Sequence, residues 1–247
     1  MTETFDAVII GAGISGLYQL HKLRQLGLNA RVYEAGDGVG GTWYWNRYPG
    51  ARCDSESHSD SYYFDKELLE EWQWSERYPG HAEIRQYLNY VADQLDLKKD
   101  IFFGSCVSKC TYCADENLWH VQVGEDQVYR TRWLVTSVGC LSSANIPDIP
   151  GLSSFRGDWY HTGKWPKDGV DLKDKNVGQI GTGSTGIQTA PVIAETAAHL
   201  TIFQRTANYS VPARNAFWDM TYTDWVSKHY NELKALVKST PNGHPFR

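Results

Sequence analysis

The sequence predicts an α/β fold built on two parallel βαβ units. Three observations predict it. Two glycine loops, Gly11-Ala12-Gly13-Ile14-Ser15-Gly16 and Gly181-Thr182-Gly183-Ser184-Thr185-Gly186, each follow a short run that reads as a strand. Each loop is followed by residues at helical spacing and then by a second apolar run. Both second runs end on a charge at nearly the same offset: Glu34 lies 18 residues after Gly16, and Arg205 lies 19 residues after Gly186. One such loop alone is a weak sign. Strand, loop, helix and terminal charge in register twice over is the pattern of two Rossmann-like dinucleotide-binding domains.

In the first unit, Phe5-Asp6-Ala7-Val8-Ile9-Ile10 reads as a buried parallel strand. Leu17, Leu20, Leu23 and Leu26 carry the helix, Gly27 ends it, and Ala30-Arg31-Val32-Tyr33 is the next strand. The glycines Gly11, Gly13 and Gly16 permit a tight turn and let the backbone approach a pyrophosphate, which then meets the amides at the helix start, Ser15 among them. A carboxylate at the position of Glu34 accepts hydrogen bonds from ribose hydroxyls and repels a 2′-phosphate.

In the middle of the chain, residues 82–95 have helical spacing. Ile101-Phe102-Phe103 and Cys106-Val107 read as short strands, and 118–123 with 127–129 as a β-meander. Arg132-Trp133-Leu134-Val135-Thr136-Ser137-Val138-Gly139 reads as a separate strand returning to the nucleotide sheet. Cys110 and Cys113 form a CxxC, but no second CxxC or His pair supplies further ligands, so chance spacing and no metal are expected. In the second unit, Asn176–Ile180 is the strand, Ile187, Ala190, Ile193 and Ala194 mark the helix, and 199–203 is the next strand. Thr182, Gly183, Ser184, Thr185, Gly186, Ile187 and Gln188 are the candidate phosphate cradle. Arg205, with Thr206, suits a 2′-phosphate, because a guanidinium forks onto phosphate oxygens. The pair of charges therefore predicts NADPH rather than NADH at the second unit.

The chain has 247 residues, 41% hydrophobic and 21% charged, as a folded protein rather than a disordered one requires. A net charge of −5 argues against a nucleic-acid partner. No apolar run reaches the roughly 18–20 residues of a membrane helix. A strand from Phe5 leaves no room for a secretory leader, and five cysteines without a scaffold rhythm suit a reducing compartment, so a cytoplasmic protein is expected.

Three further stretches carry a family resemblance. Gly36-Asp37-Gly38-Val39-Gly40-Gly41-Thr42-Trp43 resembles the second FAD-contacting loop of two-dinucleotide flavoproteins, with Trp43 where their disulfide reductases carry a redox cysteine. Trp43-Tyr44-Trp45-Asn46-Arg47-Tyr48-Pro49-Gly50-Ala51-Arg52-Cys53-Asp54 and Phe155-Arg156-Gly157-Asp158-Trp159-Tyr160-His161-Thr162-Gly163-Lys164-Trp165-Pro166 resemble segments of type I Baeyer–Villiger monooxygenases. The resemblance extends over essentially the whole chain. It implies FAD at the first unit and NADPH at the second, with O2 and a ketone as substrates and an ester or lactone formed through a C4a-peroxyflavin. It places Gly41, Thr42, Trp43 and Trp45 along the flavin and the backbone of Val107 at the adenine. It puts Arg52, Cys53 and Asp54 near the meeting point of flavin and nicotinamide. Asp54 would orient a catalytic arginine expected beyond residue 247, and His161 would tether the linker and couple NADPH binding to domain motion. Outside this motif, Arg52 and Asp54 would be read as a surface pair and His161 as a satisfied buried histidine. Position 60, often aromatic in the family, is Asp60 here, and Ser137-Val138-Gly139 replaces the usual Ala-Thr-Gly.

The expected domains are an FAD domain at 1–150, a linker at 151–170 and an NADPH domain at 171–247. No third strand of the second unit is legible after Thr206, and residues 242–247 close a polar, helix-like region. The chain is thus expected to be the N-terminal portion of a longer enzyme and inactive alone. Two other readings stand beside this one: an N- or S-oxygenase, whose linker string typically lacks the Trp165-Pro166 ending, and a non-catalytic dinucleotide-binding fragment. Substrate identity and oligomeric state are not legible.

Overall fold

The structure is a computed structural model and describes residues 3–241, so residues 242–247 lie outside it. The chain forms two compact units. One comprises Met1–Asn46 with Arg85–Trp165, the other Arg47–Ile84 with Pro166–Arg247. Packing thus groups residues 47–84 with the second glycine loop, and the stretch up to Trp165 with the first.

The first unit is a six-stranded sheet. Its strands are β1 (Thr4–Ile10), β2 (Ala30–Tyr33), β3 (Ile101–Phe102), β4 (Val107–Cys113), β5 (Leu118–Val123) and β6 (Gln127–Thr136), in the order β3-β2-β1-β6-β5-β4. β3, β2, β1 and β6 run parallel, while β4, β5 and β6 form the antiparallel meander. Helix α1 (Ile14–Gln25) connects β1 to β2 and buries Leu17 and Leu20. Phe5, Val8, Tyr33, Val121 and Val123 form the core beneath the sheet. From Arg85 onward, α4 (His81–Gln94) adds buried Tyr87, Leu88 and Val91; the shorter helices α2 (Thr42–Trp45) and α3 (Lys66–Glu71) precede it in the chain.

Two expectations need correction. Cys106 lies outside any strand, and Val107 opens a seven-residue strand rather than closing a short one. The meander strand and the returning strand are one ten-residue element, β6. No turn residue separates Tyr129 from Arg132, so the extended backbone simply continues. Its first half pairs antiparallel with β5 and its second half parallel with β1; Thr131 pairs with Trp119 on one side and Phe5 on the other. Thr131 is fully buried, and its hydroxyl donates to the carbonyls of Asp6 and Trp133 at 3.2 and 3.0 Å.

In the second unit, β7 (Asn176–Ile180) and β8 (His199–Phe203) pair in parallel, and α5 (Ser184–Ala194) crosses between them. The region read as helix-like holds α6 (Met220–Lys228) and α7 (Tyr230–Ser239). Val226, Tyr230 and Leu233 of these helices bury against Tyr63 and Leu69, and the Tyr230 hydroxyl donates to the Tyr63 carbonyl at 3.0 Å. Among the described residues no helix is long and apolar enough to cross a membrane.

Candidate dinucleotide sites

The two glycine loops repeat one geometry. Gly11 and Gly181 have φ of +98° and +104°, a region an L side chain rarely enters. Each donates its N–H to the last residue of the neighbouring strand, Gly11 to the Tyr33 carbonyl and Gly181 to the Phe203 carbonyl, both at 2.9 Å. The helix starts that follow, at Gly13 and Gly183, have no side-chain cap, which leaves their first amides for an anion. The third glycine allows helix and strand to touch. A Cβ on Gly16 would lie 1.9 Å from the Gly11 oxygen, and one on Gly186 would lie 2.4 Å from the Gly181 oxygen.

In the first unit a second loop closes on the first. The Gly40 N–H donates to the Ala12 carbonyl at 3.1 Å, and a Cβ on Gly41 (φ +53°) would lie 2.8 Å from the Gly13 Cα. Glu34 is buried at the end of β2, with its two carboxylate oxygens accepting from the N–H of Ala12 and of Gly36, both at 2.7 Å. Each oxygen keeps a lone pair for a ribose hydroxyl, and the carboxylate also fixes the two loops relative to each other. Tyr44, a buried residue the sequence reading did not single out, holds the second loop through hydrogen bonds with Asp37. Thr42, Trp43 and Trp45 lie on the same short turn, where Trp45 is 42% exposed. Val107 sits just beyond Gly104 and Ser105, whose amides donate to the carbonyls of Gly36 and Glu34.

His161 caps a 3-10 turn over Thr162–Lys164: its Nδ1 accepts from the Gly163 N–H at 3.1 Å. In that arrangement the neutral ring carries its proton on Nε2.

In the second unit, Gln179 pins the glycine loop. Its side-chain amide donates to the carbonyls of Gly181 and Gly186, both at 3.0 Å. Thr182 is held from the far side by Gln204 and Asn208, at 2.8 and 3.0 Å. Between those two residues Arg205 and Thr206 are exposed, and Arg205 has no ion pair among the described residues. The two corresponding strand ends thus differ in state as well as in charge. Glu34 is buried and engaged, whereas Arg205 is open.

Gln188 on α5 gathers the segment 48–52. Its Oε1 accepts from the Tyr48 hydroxyl at 2.9 Å and the Arg52 N–H at 3.3 Å, and its Nε2 donates to the Arg52 carbonyl at 3.1 Å. The Arg52 side chain turns to Glu76 and the Tyr78 carbonyl, at 3.5 and 3.2 Å, so it does not pair with Asp54. Asp54 is exposed and has no hydrogen bond or ion pair among the described residues. Cys53 is buried, and its thiol donates to Asp60 at 2.6 Å. Burial, followed by the Asp60 charge, pushes that thiol up to about 12, so it stays protonated and is no nucleophile. Asp60 also accepts from the Ser55 hydroxyl at 2.9 Å, which accounts for an acid at this position. Tyr44 and Gln179 act on residues two to seven positions away, and Gln204 and Asn208 reach Thr182 across 22 and 26 residues, but none of the four belongs to the glycine pattern that marks the loops.

The family model described as flavin-binding monooxygenase-like matches residues 6–235. The chain is 42% identical over 245 residues to an acetone monooxygenase (methyl acetate-forming) of Gordonia, covering 99% of this chain and 46% of that protein. It is 46% identical over 210 residues to a phenazine N-monooxygenase of Lysobacter antibioticus, covering 85% and 39% respectively. A solved oxidized steroid monooxygenase bound to NADP superposes on it with a TM-score of 0.93 at 46% identity, over 100% of this chain and 47% of the other. The chain therefore spans under half the length of the curated relatives it matches.

Proposed function

The chain belongs to the flavin-binding monooxygenase-like family, and on that premise we propose that it binds FAD at the first glycine loop and NADPH at the second, within a cytoplasmic Baeyer–Villiger monooxygenase that takes a ketone and O2. The observation that carries the cofactor assignment is the contrast between Glu34 and Arg205 at matching strand ends. Both cradles fit such groups: their helix starts are uncapped, and their third glycines close on the first with no room for a Cβ. All five cysteines are free, as a reducing compartment would leave them.

Bound FAD and NADPH would supply the redox chemistry. The protein would position them, exclude water and stabilise negative charge. Gly11, Gly13, Ser15 and Gly16 bring amides to the FAD pyrophosphate, and Glu34 accepts from its ribose. Gly41, Thr42, Trp43 and Trp45 line the isoalloxazine, and the Val107 backbone meets the adenine. Thr182, Gly183, Ser184, Thr185, Gly186, Ile187 and Gln188 form the NADPH cradle. Arg205 and Thr206 take the 2′-phosphate, and Arg52 and Cys53 stand toward the nicotinamide. Asp54 offers an unpaired carboxylate to orient a guanidinium, and His161 holds the linker turn.

Arg205→Ala is expected to raise the KM for NADPH in a full-length enzyme, or the Kd for NADPH of this chain, about tenfold, the scale of one charge-assisted contact, and to leave NADH nearly unchanged. Equal effects on both nucleotides would overturn the assignment. The similarity to a phenazine N-monooxygenase supports a second reading, N-oxygenation. Product analysis of a full-length enzyme with NADPH and O2 separates the two. The first reading expects an ester or lactone from a ketone; an N-oxide from an amine with no product from ketones would replace it.

A further inference from the structure

The CxxC at 110–113 has no role in the cofactor sites, and the fold separates its two cysteines. Side chains alternate across a strand, so Cys110 and Cys113 on β4 face opposite sides of the sheet. Cys110 pairs across with Val121 and packs on the core. Cys113 lies on the other face, where Thr111 stands opposite His120 and His120 opposite Arg130. The connection from β4 to β5 brings Glu116 back over this face. Its carboxylate meets His120 Nε2 at 2.9 Å and Arg130 Nε at 3.4 Å. The turn is set by Asn117 at φ +52°, whose side chain accepts from the Tyr112 hydroxyl at 2.5 Å. As a result one thiol sulfur, one imidazole nitrogen and one carboxylate oxygen lie within 4.8 Å of one another.

We propose that Cys113, Glu116 and His120 form a binding site for a zinc-class divalent cation that staples the β4–β5 hairpin. The donor set is the argument for the metal. Thiolate and imidazole select borderline ions such as Zn2+ or Co2+ over Mg2+ or Ca2+, which take oxygen ligands. Ligands around such an ion lie about 3.5 Å apart in a tetrahedron, and the three donor atoms already lie within 4.8 Å of one another. Three protein ligands leave the fourth position to water. The sequence spacing, Cys-x2-Glu-x3-His, spans the hairpin turn, and so escapes a search for paired CxxC or HxxxH motifs. Arg130 is the competitor: the ion must take Glu116 from it, so binding should be of moderate strength and reversible by chelator.

Titration of the full 247-residue chain with Co2+ under reducing conditions reads the site directly, without any assay of enzyme activity. A thiolate-to-cobalt charge-transfer band is expected, which excess Zn2+ abolishes. Cys113→Ser should remove the band, and His120→Asn should weaken Co2+ binding at least about tenfold. Cys110→Ser, on the opposite face, should leave both unchanged. Circular dichroism of each variant confirms that the sheet is intact, because the three ligands lie on the partly exposed hairpin face. Absence of the band in the unsubstituted chain, or its persistence in Cys113→Ser, overturns the proposal.

Discussion

Gly16→Ala is expected to weaken FAD binding by the first unit roughly 100-fold while leaving the second glycine loop intact, and Gly186→Ala to do the same to NADP+ binding while leaving the first intact. The new methyl carbon at residue 16 would stand 1.9 Å from the Gly11 carbonyl oxygen, and at residue 186 it would stand 2.4 Å from that of Gly181. Both obstacles are backbone atoms, so no side chain can rotate away and the helix must lift off its strand. Overpacking of this kind costs about 3 kcal/mol at the upper end of its usual range. Spent on binding, that is a loss of roughly 100-fold in affinity. Gly27→Ala is the control. Gly27 has φ +75° but nothing within 4 Å of an added Cβ, so it carries conformational strain without a clash and should cost about 1 kcal/mol of stability with cofactor affinity retained. FAD fluorescence quenching and NADP+ calorimetry on the three variants check the set. Undiminished FAD affinity in Gly16→Ala would refute the close-packing argument.

The second large effect is a loss of stability in acid. His58 is 3% exposed, its ring lies 5.5 and 5.4 Å from those of Trp218 and Tyr222, and neither ring nitrogen has a hydrogen-bond partner among the described residues. Burial lowers its pKa from the ordinary 6.5 to about 4. The unfolded chain therefore takes up a proton on this residue before the folded one does. The neutral ring's contribution is fully present above pH 6.5 and is lost as pH falls through about 4. The shift corresponds to about 3 kcal/mol at most. Urea titrations between pH 7.5 and 4.5 should show the second unit weakening across this window, and His58→Leu, which removes the titrating group, should flatten the slope. An unchanged slope in His58→Leu would assign the acid sensitivity to other groups.

What the sequence made legible, and what it left out, divides by distance along the chain. The glycine loops, the helices after them, Glu34 and Arg205 belong to patterns that close within about thirty residues, and each stands where its spacing predicts. Local periodicity encodes them because their physics is local: a turn, a helix start, a strand end. The continuity of β6 was missed because only its pairing with β1 and β5 shows that it is one strand. The clamp of Gln188 on Tyr48 and Arg52 joins residues 136 to 140 positions apart, and nothing in either stretch announces the other. The family resemblance sets Cys53 beside Asp54 near the meeting point of the cofactors and says nothing of its thiol. The burial of Cys53 against Asp60, which silences the thiol, is a property of packing alone.

The dual pairing of β6 also bears on how the protein comes into being. Thr131 reaches the Asp6 carbonyl across 125 residues of chain, and the Ser137 carbonyl that walls in Gly11 follows only a few residues later. On a ribosome the first glycine loop therefore emerges well before its sheet neighbour, which is synthesised 125 residues later. Contacts of such long sequence separation close late and slowly. Until they do, the apolar edge of β1 is exposed to mispairing. Competence to hold the first cofactor is therefore expected to appear abruptly once Thr136 has cleared the exit tunnel, and synthesis halted short of that point should yield chains that depend on chaperones to remain in solution.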